Sequence, residues 1–499
     1  MLVATGVENE GMRGETSRSI GALVVAVACL TLAGCAVNPA TGKRQIMLIS
    51  EAQEIEIGRQ NDEAIVAQFG LYENEELQRY VSQVGRELAA QSERPDLDWT
   101  FRVLDDTLIN AFALPGGYVY LTRGILAHFN NEAEMASVLG HEIGHVTARH
   151  GANQMSKSQL AQLGLAVGSI ATPERFGGLV DLAGAGMQLA FLKFSRDDER
   201  QADDLGLRYV VRGGFDPRPM GDVFVTLKRV SEAQSQGGLP GWLSTHPDPG
   251  NREGRIADQI AAMGRDFSGS RLERAAYQQR IDGIVFGDDP RQGYFIGTAF
   301  YHPEMAFRLD FPEGWKTVNA RSFVAAQSAE QDAVIRLSLS DEEDADSALQ
   351  EFLAQESIRP GESWNRSVNG IRAAGSRFSA VQGEGSAPGE IAFFEHRDLV
   401  FQIIGLSRGN AWDSRGPGIR NTLESFRTLT DRRYLDVEPR RLGIVRLDRS
   451  MTVAEFAGRY GATIPEPELA ILNGLEPGAR LRSGETYKVV RGGKLPEDP

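Results

Sequence analysis

Cysteine is almost absent from this sequence, whose 499 residues include only Cys29 and Cys35. A framework of disulfides is therefore excluded, and stability must come from packed cores or from bound metal. Basic residues are too few to balance the acidic ones, 53 against 68, and the net charge of -15 disfavours nucleic acid and anionic membrane surfaces as electrostatic partners. Long apolar runs are missing too, since the stretch from Ile20 to Leu32 falls short of the roughly 20 residues of a membrane span.

The N-terminal segment has the pattern of a secretory signal. Arg13 and Arg18 precede the apolar stretch, which ends in Leu32-Ala33-Gly34-Cys35. This ending resembles the cleavage box of bacterial lipoproteins, in which the cysteine is acylated and becomes the new N-terminus. The resemblance implies lipidation at Cys35 and an anchor in the outer membrane, with the chain on the periplasmic face of the cell envelope. The alternative is a plain signal that is cut elsewhere.

The chain is too long for one ordinary domain, and its residue patterns change along its length. We expect a multidomain protein with a mainly α-helical unit that contains a small β-sheet, then an α+β domain, then a small βααβ module. The expected boundaries are a signal at 1–35, a tether at 36–49, the helical unit at 50–266, a linker at 267–292, the α+β domain at 293–433, and the module with its tail at 434–499.

Local signals predict the elements of the helical unit. These are a helix capped by Ser50, a helix at about 75–90, strands at 101–104, 110–114 and 118–121, and a helical hairpin at 160–192. A further helix is bounded by Asn131 as its cap, by Glu134 three residues later, and by Gly151 after its last turn. We expect this helix to bury its apolar positions on one side and to face a cleft with the other.

That helix contains the sequence His141-Glu142-Ile143-Gly144-His145. Two histidines four residues apart project from one face of a helix and can reach one cation, while Glu142 beside them can take a proton from a water bound to the metal. The competing interpretation is a helix with a fortuitous pair of histidines. The pattern predicts a zinc site, which for catalysis requires a third protein ligand and an open position.

Two segments could supply the third ligand. His150 stands at the fifth place after His145, whereas the metzincin pattern has its third histidine at the sixth, so we reject it as a ligand and expect it to cap or pack at the helix end. Glu199 and Asp203 are four residues apart, so one could ligate the metal while the other supports a histidine. Their acidic neighbours leave this choice open, because a charge run is more often a solvated face.

Several separated motifs together resemble the HtpX-like and CaaX-prenyl-protease-related metallopeptidases, a gluzincin family, and within it the periplasmic BepA and LoiP type. The resemblance covers about Ile46 to Met263 and is carried by His141 to His145, Glu199 to Asp203, Asn110-Ala111-Phe112 with Pro115-Gly116-Gly117, Ser244 to Pro247, and Arg252. It implies one zinc ion per chain, held by His141, His145 and Glu199. It also implies that Asp203 supports a ligand, that Arg252 supports the cleft, and that His246 stabilises the oxyanion or occupies the open metal position at rest.

The residues predict a zinc-dependent metalloendopeptidase, and the resemblance implies that it cleaves misfolded or stalled envelope proteins. Glu142 is the expected general base. The strand that begins with Asn110, Ala111 and Phe112 is expected to bind an extended polypeptide substrate by β-addition. The alternatives are a non-catalytic periplasmic chaperone or assembly factor, and a lipoprotein whose main role is to bind peptidoglycan.

The two C-terminal units carry weaker resemblances. Phe311-Pro312-Glu313-Gly314-Trp315 and the strand order after it resemble PsbP-like α+β domains, and we expect binding or scaffolding there. Leu472-Asn473-Gly474-Leu475 and Gly484, within a strand-helix-helix-strand order, resemble a LysM module. Such modules bind glycans with N-acetylglucosamine units, which would make peptidoglycan a partner. A purely structural LysM-like cap is the open alternative.

Overall fold

The computed structural model describes residues 35–166, 193–233, 242–247, 251–382, 385–476, 478–493 and 495–496. The expected signal before residue 35 and most of the expected hairpin at 160–192 lie outside these ranges. Within them, no helix combines the length and the apolar character needed to cross a membrane. The described chain opens with a short antiparallel pair, β1 (Cys35–Val37) and β2 (Arg44–Ile46).

The first unit is helical around a small sheet, as expected. Its helices are α1 (Glu51–Phe69), α2 (Glu75–Ala89), α3 (Arg123–His128), α4 (Glu132–Thr147), α5 (His150–Ala166), α6 (Arg196–Arg212), α7 (Pro219–Ala233), α8 (Trp242–Thr245), α9 (Arg252–Ala262) and α10 (Arg274–Ile281). Its strands are β3 (Thr100–Leu104), β4 (Ala111–Leu114) and β5 (Tyr118–Thr122). The sheet order is β3-β5-β4, so β4 lies at an edge, antiparallel to β5.

Local sequence signals explain how these elements begin and turn. Ser50 caps α1 in a capping box with Gln53, which satisfies free N–H groups of the first turn. The hairpin from β4 to β5 turns through Gly116 and Gly117, whose φ angles of 85° and 98° are open to glycine at little cost. The predicted cap and the predicted hairpin are both confirmed.

Helix α4, which carries the two motif histidines, departs from the prediction at its end. Asn131 caps it by accepting a bond from the backbone N–H of Glu134, as expected. The helix stops at Thr147, however, and the chain reverses through Arg149 at a φ of 58°. Gly151 therefore does not follow the last turn but lies inside α5. Every residue of α4 is buried, because other elements cover all of its sides.

The segment 267–292, expected as a linker, is folded onto the first unit. It contains α10, and its apolar side chains Tyr277, Ile281, Ile284 and Phe286 belong to the same core as the apolar residues of α4. Tyr277 and Ile281 are one helical turn apart, a spacing that polar neighbours conceal in the sequence. This segment therefore adds to the core that supports the motif helix.

The residues that follow form the expected α+β unit. Its strands are β6 (Tyr294–Ile296), β7 (Ala299–His302), β8 (Phe307–Asp310), β9 (Lys316–Ala320), β10 (Phe323–Gln327), β11 (Ala333–Ser340), β12 (Ile358–Val368), β13 (Ile371–Gln382), β14 (Gly385–His396), β15 (Leu399–Ser407) and β16 (Arg427–Thr428). Its helices are α11 (Ala345–Leu353), α12 (Trp412–Ser425) and the short α13 (Arg432–Leu435). A seven-stranded sheet runs in the order β12-β13-β14-β15-β11-β10-β9, and a smaller one in the order β16-β8-β7-β6. Helices α11 and α12 pack on opposite faces of the large sheet, because alternate residues of β14 and β15 point to opposite sides.

The C-terminal unit contains the predicted strand-helix-helix-strand order and, in addition, a pair of two-residue strands. Its elements are β17 (Arg440–Arg446), β18 (Met451–Thr452), α14 (Val453–Tyr460), α15 (Glu466–Leu472), β19 (Arg480–Leu481) and β20 (Thr486–Gly492). Its apolar side chains, such as Leu442, Phe456 and Leu469, join the core of the first unit. The C-terminal unit therefore packs directly on the unit that carries the motif helix.

Lys488 joins these two units through its buried side chain. Its side chain is fully buried, and its Nζ donates to the carbonyl oxygens of Ala127 at 2.9 Å and Phe129 at 3.0 Å. These carbonyls end helix α3, where unpaired oxygens and the helix dipole both favour a cation. Lys488 thus fixes the C-terminal unit beside the start of α4.

Candidate metal centre

Close packing between α4 and α6 brings the two motif histidines to an acidic side chain from another part of the sequence. A Cβ on Gly206 would lie 2.8 Å from the backbone nitrogen of His141, and a Cβ on Gly144 would lie 2.9 Å from the carbonyl oxygen of Ala202. Only glycine allows the helices to approach this closely at these two crossing points. As a result Glu199, at the start of α6, reaches the face of α4 that carries the histidines.

Four side chains converge on one point, and all are buried. The Nε2 atoms of His141 and His145 are 3.0 Å apart, and His246 Nδ1 lies 3.3 Å from His141 Nε2. Glu199 places its oxygens 3.5 Å from each of the two motif Nε2 atoms and 3.1 Å from His246 Nδ1. The ligand atoms of all four residues lie within 4.8 Å of one another.

These donor atoms fit a tetrahedral metal ion. Ligands at about 2.0–2.1 Å from a tetrahedral zinc ion lie about 3.3–3.4 Å from one another, close to the spacings found here. Imidazole nitrogen and carboxylate oxygen are also donors that zinc accepts. Glu199 Oε2 is buried with only longer contacts, to Arg252 Nη1 at 3.3 Å and to His141 Nε2 at 3.5 Å. His246 stands where a fourth ligand would stand.

Buried charges shift the pKa values of the donors. Burial alone would lower the pKa of His141, but hydrogen bonds to Asp203 and Glu199 outweigh it and raise the pKa to about 9. Burial and the neighbouring His141 instead hold the pKa of His145 well below its usual value. For Glu199, burial raises the pKa, yet the charge of His246 and hydrogen bonds from three histidines lower it far more. The carboxylate of Glu199 is thus stabilised in its ionised form, the form that binds metal.

Asp203 and Arg252 contact the donor cluster from the side away from its centre. His141 Nδ1 donates to Asp203 Oδ1 at 3.0 Å, which leaves Nε2 of the same ring free for the metal. Arg252 Nε donates to Asp203 Oδ2 at 3.1 Å, and its guanidinium lies 4.7 Å from the ring centre of Trp242. Burial raises the pKa of Asp203, but the Arg252 charge and the bond from His141 outweigh it and lower the pKa.

Glu142 lies beside the donor cluster without belonging to it. Its side chain is fully buried, and Trp242 Nε1 donates to Glu142 Oε1 at 3.3 Å. The other oxygen, Oε2, has no hydrogen-bond partner among the described residues. One oxygen is therefore oriented and the other is available to accept a proton, which is the arrangement a general base requires.

The sequence did not reveal two aromatic side chains of this site. Trp242 stacks on His246 with ring centres 4.8 Å apart, and Phe194 stacks on His145 at 4.1 Å. The spacing of four residues between Trp242 and His246 was the available signal for the first. The signal for Phe194 was its position just before Ser195, the cap of α6.

The strand predicted to bind a peptide, β4, lies at an edge of the small sheet, and helix α4 packs against it. Asn110 precedes β4 and is buried, with its Oδ1 unpaired among the described residues. Ala111 and Phe112 are buried too, and Phe112 stacks on Tyr120 at 4.8 Å. These side chains belong to the interior, so a peptide beside β4 would meet backbone groups rather than these side chains.

The fold and the site together define a class: a helix with two histidines and an adjacent glutamate, joined at one buried donor cluster by a glutamate from a second helix. Residues 75–259 match peptidase family M48. This part of the chain is therefore a domain of that family.

Named relatives match part of this chain. The chain is 32% identical over 222 residues to a "Beta-barrel assembly-enhancing protease" of Yersinia pestis, which covers 43% of this chain and 45% of that protein. The protein of that name from Escherichia coli (strain K12) is 27% identical over 330 residues, 63% of this chain and 62% of its own. "Mitochondrial metalloendopeptidase OMA1" of Arabidopsis thaliana is 34% identical over 178 residues, 35% of this chain and 34% of its own. The chain thus spans less than two thirds of each of these relatives.

Among solved structures, a cyanobacterial PsbP from Synechocystis covers 27% of this chain and 95% of its own, with 12% identity and a TM-score of 0.24.

Proposed function

We propose that this chain is a zinc-dependent metalloendopeptidase of the bacterial cell envelope. The observation that carries the proposal is the convergence of His141, His145 and Glu199 beside a buried glutamate, Glu142, within a domain of peptidase family M48. Three protein ligands of these types are the set that catalytic zinc sites use. An intact glutamate beside both histidines favours hydrolysis over a role that only holds clients.

The side chains of the site divide the chemistry between them. Zinc, when bound, supplies a water of lowered pKa and a Lewis acid for the scissile carbonyl. Glu142 takes the proton of the attacking water and later returns it to the leaving amine. The free edge of β4 aligns an extended peptide through its backbone, so that selectivity for sequence is loose.

We propose misfolded or stalled envelope proteins as the substrates. Two of the named relatives are described as enhancing β-barrel assembly, which supports a role in the quality control of outer-membrane proteins. The same proposal includes a lipid anchor at Cys35 in the outer membrane. It leaves peptidoglycan as a further partner of the C-terminal unit, whose element order supports a LysM-like module.

Digestion of casein by the purified mature chain tests this function. We expect peptide release that a metal chelator abolishes and that added zinc restores, because the water nucleophile depends on the ion. Metal analysis of the same sample should give one zinc per chain. Hydrolysis that survives complete removal of metal would contradict the proposal. A zinc-loaded chain that prevents aggregation of unfolded clients but never cuts them would favour the chaperone alternative.

We further propose that His246 occupies the open coordination position of the metal in the resting enzyme. Its Nδ1 lies among the donor atoms, and its ring is clamped by stacking on Trp242. We therefore expect His246→Ala to keep zinc on the other three ligands and to raise casein hydrolysis. If His246 leaves this position in about a tenth of the molecules, its removal should raise the rate of casein hydrolysis about tenfold. Initial rates at equal zinc content measure this, and a marked loss of activity would favour oxyanion stabilisation by His246 instead.

A further inference from the structure

The break between α4 and α5 places a histidine behind one of the proposed metal ligands. In an unbroken helix, His150 would lie about 140° around the axis from His145, on a different face. The reversal at Arg149, whose φ is 58°, brings His150 back to His145. A non-glycine residue in this conformation costs free energy and persists only where its surroundings hold it.

Contacts from the start of the chain hold this reversal in place. Arg149 Nε donates to Glu54 Oε2 at 2.6 Å, and its Nη2 donates to the carbonyl oxygen of Ile49 at 3.0 Å. Glu54 also accepts a bond from Arg94 at 2.9 Å, and all three charged side chains are buried. Breaking one partner of such a buried network is costly, so the reversal is a fixed feature of the fold.

The contacts of His150 are consistent with only one assignment of donor and acceptor to its two ring nitrogens. Its Nδ1 lies 2.9 Å from His145 Nδ1, and its Nε2 lies 3.0 Å from Gln201 Oε1. A carboxylate oxygen of Asp198, which can only accept while ionised, lies 3.6 Å from the same Nε2. Two acceptors therefore face Nε2, which carries the proton. Nδ1 of the neutral ring is then an acceptor, and the hydrogen between the two histidines belongs to His145.

We propose that His150 is a positioning residue that holds His145 in the tautomer able to bind metal. With its proton on Nδ1, His145 keeps the lone pair of Nε2 for the ion. Asp203 does the same for His141. The two motif histidines are thus oriented by different groups, one by a carboxylate and the other by a neutral imidazole. This inference rests on the proposed function, because it assigns a role toward the same metal.

A pair of substitutions in the full-length chain tests the inference. His150→Leu removes the acceptor, whereas His150→Asn keeps an oxygen where Nδ1 stands. We expect the leucine variant to bind zinc about 10–100-fold more weakly than the unaltered chain, the loss seen when such a supporting group is removed. The asparagine variant should recover most of that affinity. Gln154→Leu, four residues further along α5, is the matched control and should bind zinc like the unaltered chain.

Zinc affinity is measured by competition with a chromogenic chelator, with circular dichroism to verify folding. Equal affinity of the leucine variant and the unaltered chain would overturn the inference, and so would an asparagine variant as weak as the leucine one. If the leucine variant does not fold, the asparagine variant decides, since the inference requires near-normal affinity there. The readout also separates the two proposals. A chain that fails to cut casein but keeps these affinity differences loses only its proposed function.

Discussion

Glu142→Gln is expected to retain one zinc per chain and to lower casein hydrolysis by at least about a hundredfold, the usual range for loss of a general base. The amide has nearly the shape of the carboxylate, and its oxygen can still accept the bond from Trp242 Nε1. It cannot take a proton from the attacking water. Zinc content should persist because Glu142 is outside the group of four converging donors. Metal analysis and initial rates on the same preparation measure both quantities.

A matched control for this variant is Glu63→Gln, which makes the same chemical change on a side chain of α1 that is 78% exposed. It should hydrolyse casein like the unaltered chain. Full activity of Glu142→Gln at full zinc content would eliminate Glu142 as the base. Loss of zinc in that variant would instead point to a role in holding the ion.

The motif helix could be predicted because its signals are local. The cap at Asn131 and the spacing of His141 and His145 depend on residues within two or three turns of one another. The end of the helix could not be predicted, because the reversal at Arg149 is stabilised by Glu54, almost a hundred residues earlier. Gly151 was the natural local candidate, and a distant contact overrode it.

The site shows the same division between local and distant information. The acidic run at the start of α6 offers several carboxylates, and helical spacing alone does not select one. Close packing at Gly144 and Gly206 decides which of them faces α4, and such packing is invisible in one sequence. The contacts of Trp242 with Glu142 and of His150 with His145 arise from the same three-dimensional arrangement.

The segment at 267–292 shows why unit boundaries were harder to predict than elements. Its polar composition indicated a linker, yet a few apolar side chains at helical spacing are enough to fix α10 onto the core. Burial of Tyr277 and Ile281 outweighs the exposed polar face of the helix. The boundary of a unit depends on the summed free energy of burying many side chains, whereas a helix cap depends on a single residue.

Glu199→Gln is expected to remove zinc and activity together, in contrast to the change at Glu142. The carboxylate of Glu199 is fully buried and lies 3.5 Å from both motif Nε2 atoms. A neutral amide at this place supplies no negative charge to the ion, although it can keep the contact with His246. The loss in zinc affinity should exceed the roughly 10–100-fold that removal of a supporting group such as Asp203 costs. Chelator competition and casein hydrolysis measure the two effects.

Neighbouring acidic residues on α6 provide the control variants for this prediction. Asp197 is 90% exposed and pairs with Arg200 on the surface of α6, so Asp197→Asn should bind zinc and cut casein normally. Asp198 pairs with the cap residue Ser195 in a capping box and also lies 3.6 Å from His150 Nε2, so its replacement should lower stability and weaken zinc binding less than Glu199→Gln does. If Asp197→Asn lost zinc while Glu199→Gln retained it, the third ligand would be misassigned. Normal zinc affinity in all three variants would mean that the metal is held by histidines alone.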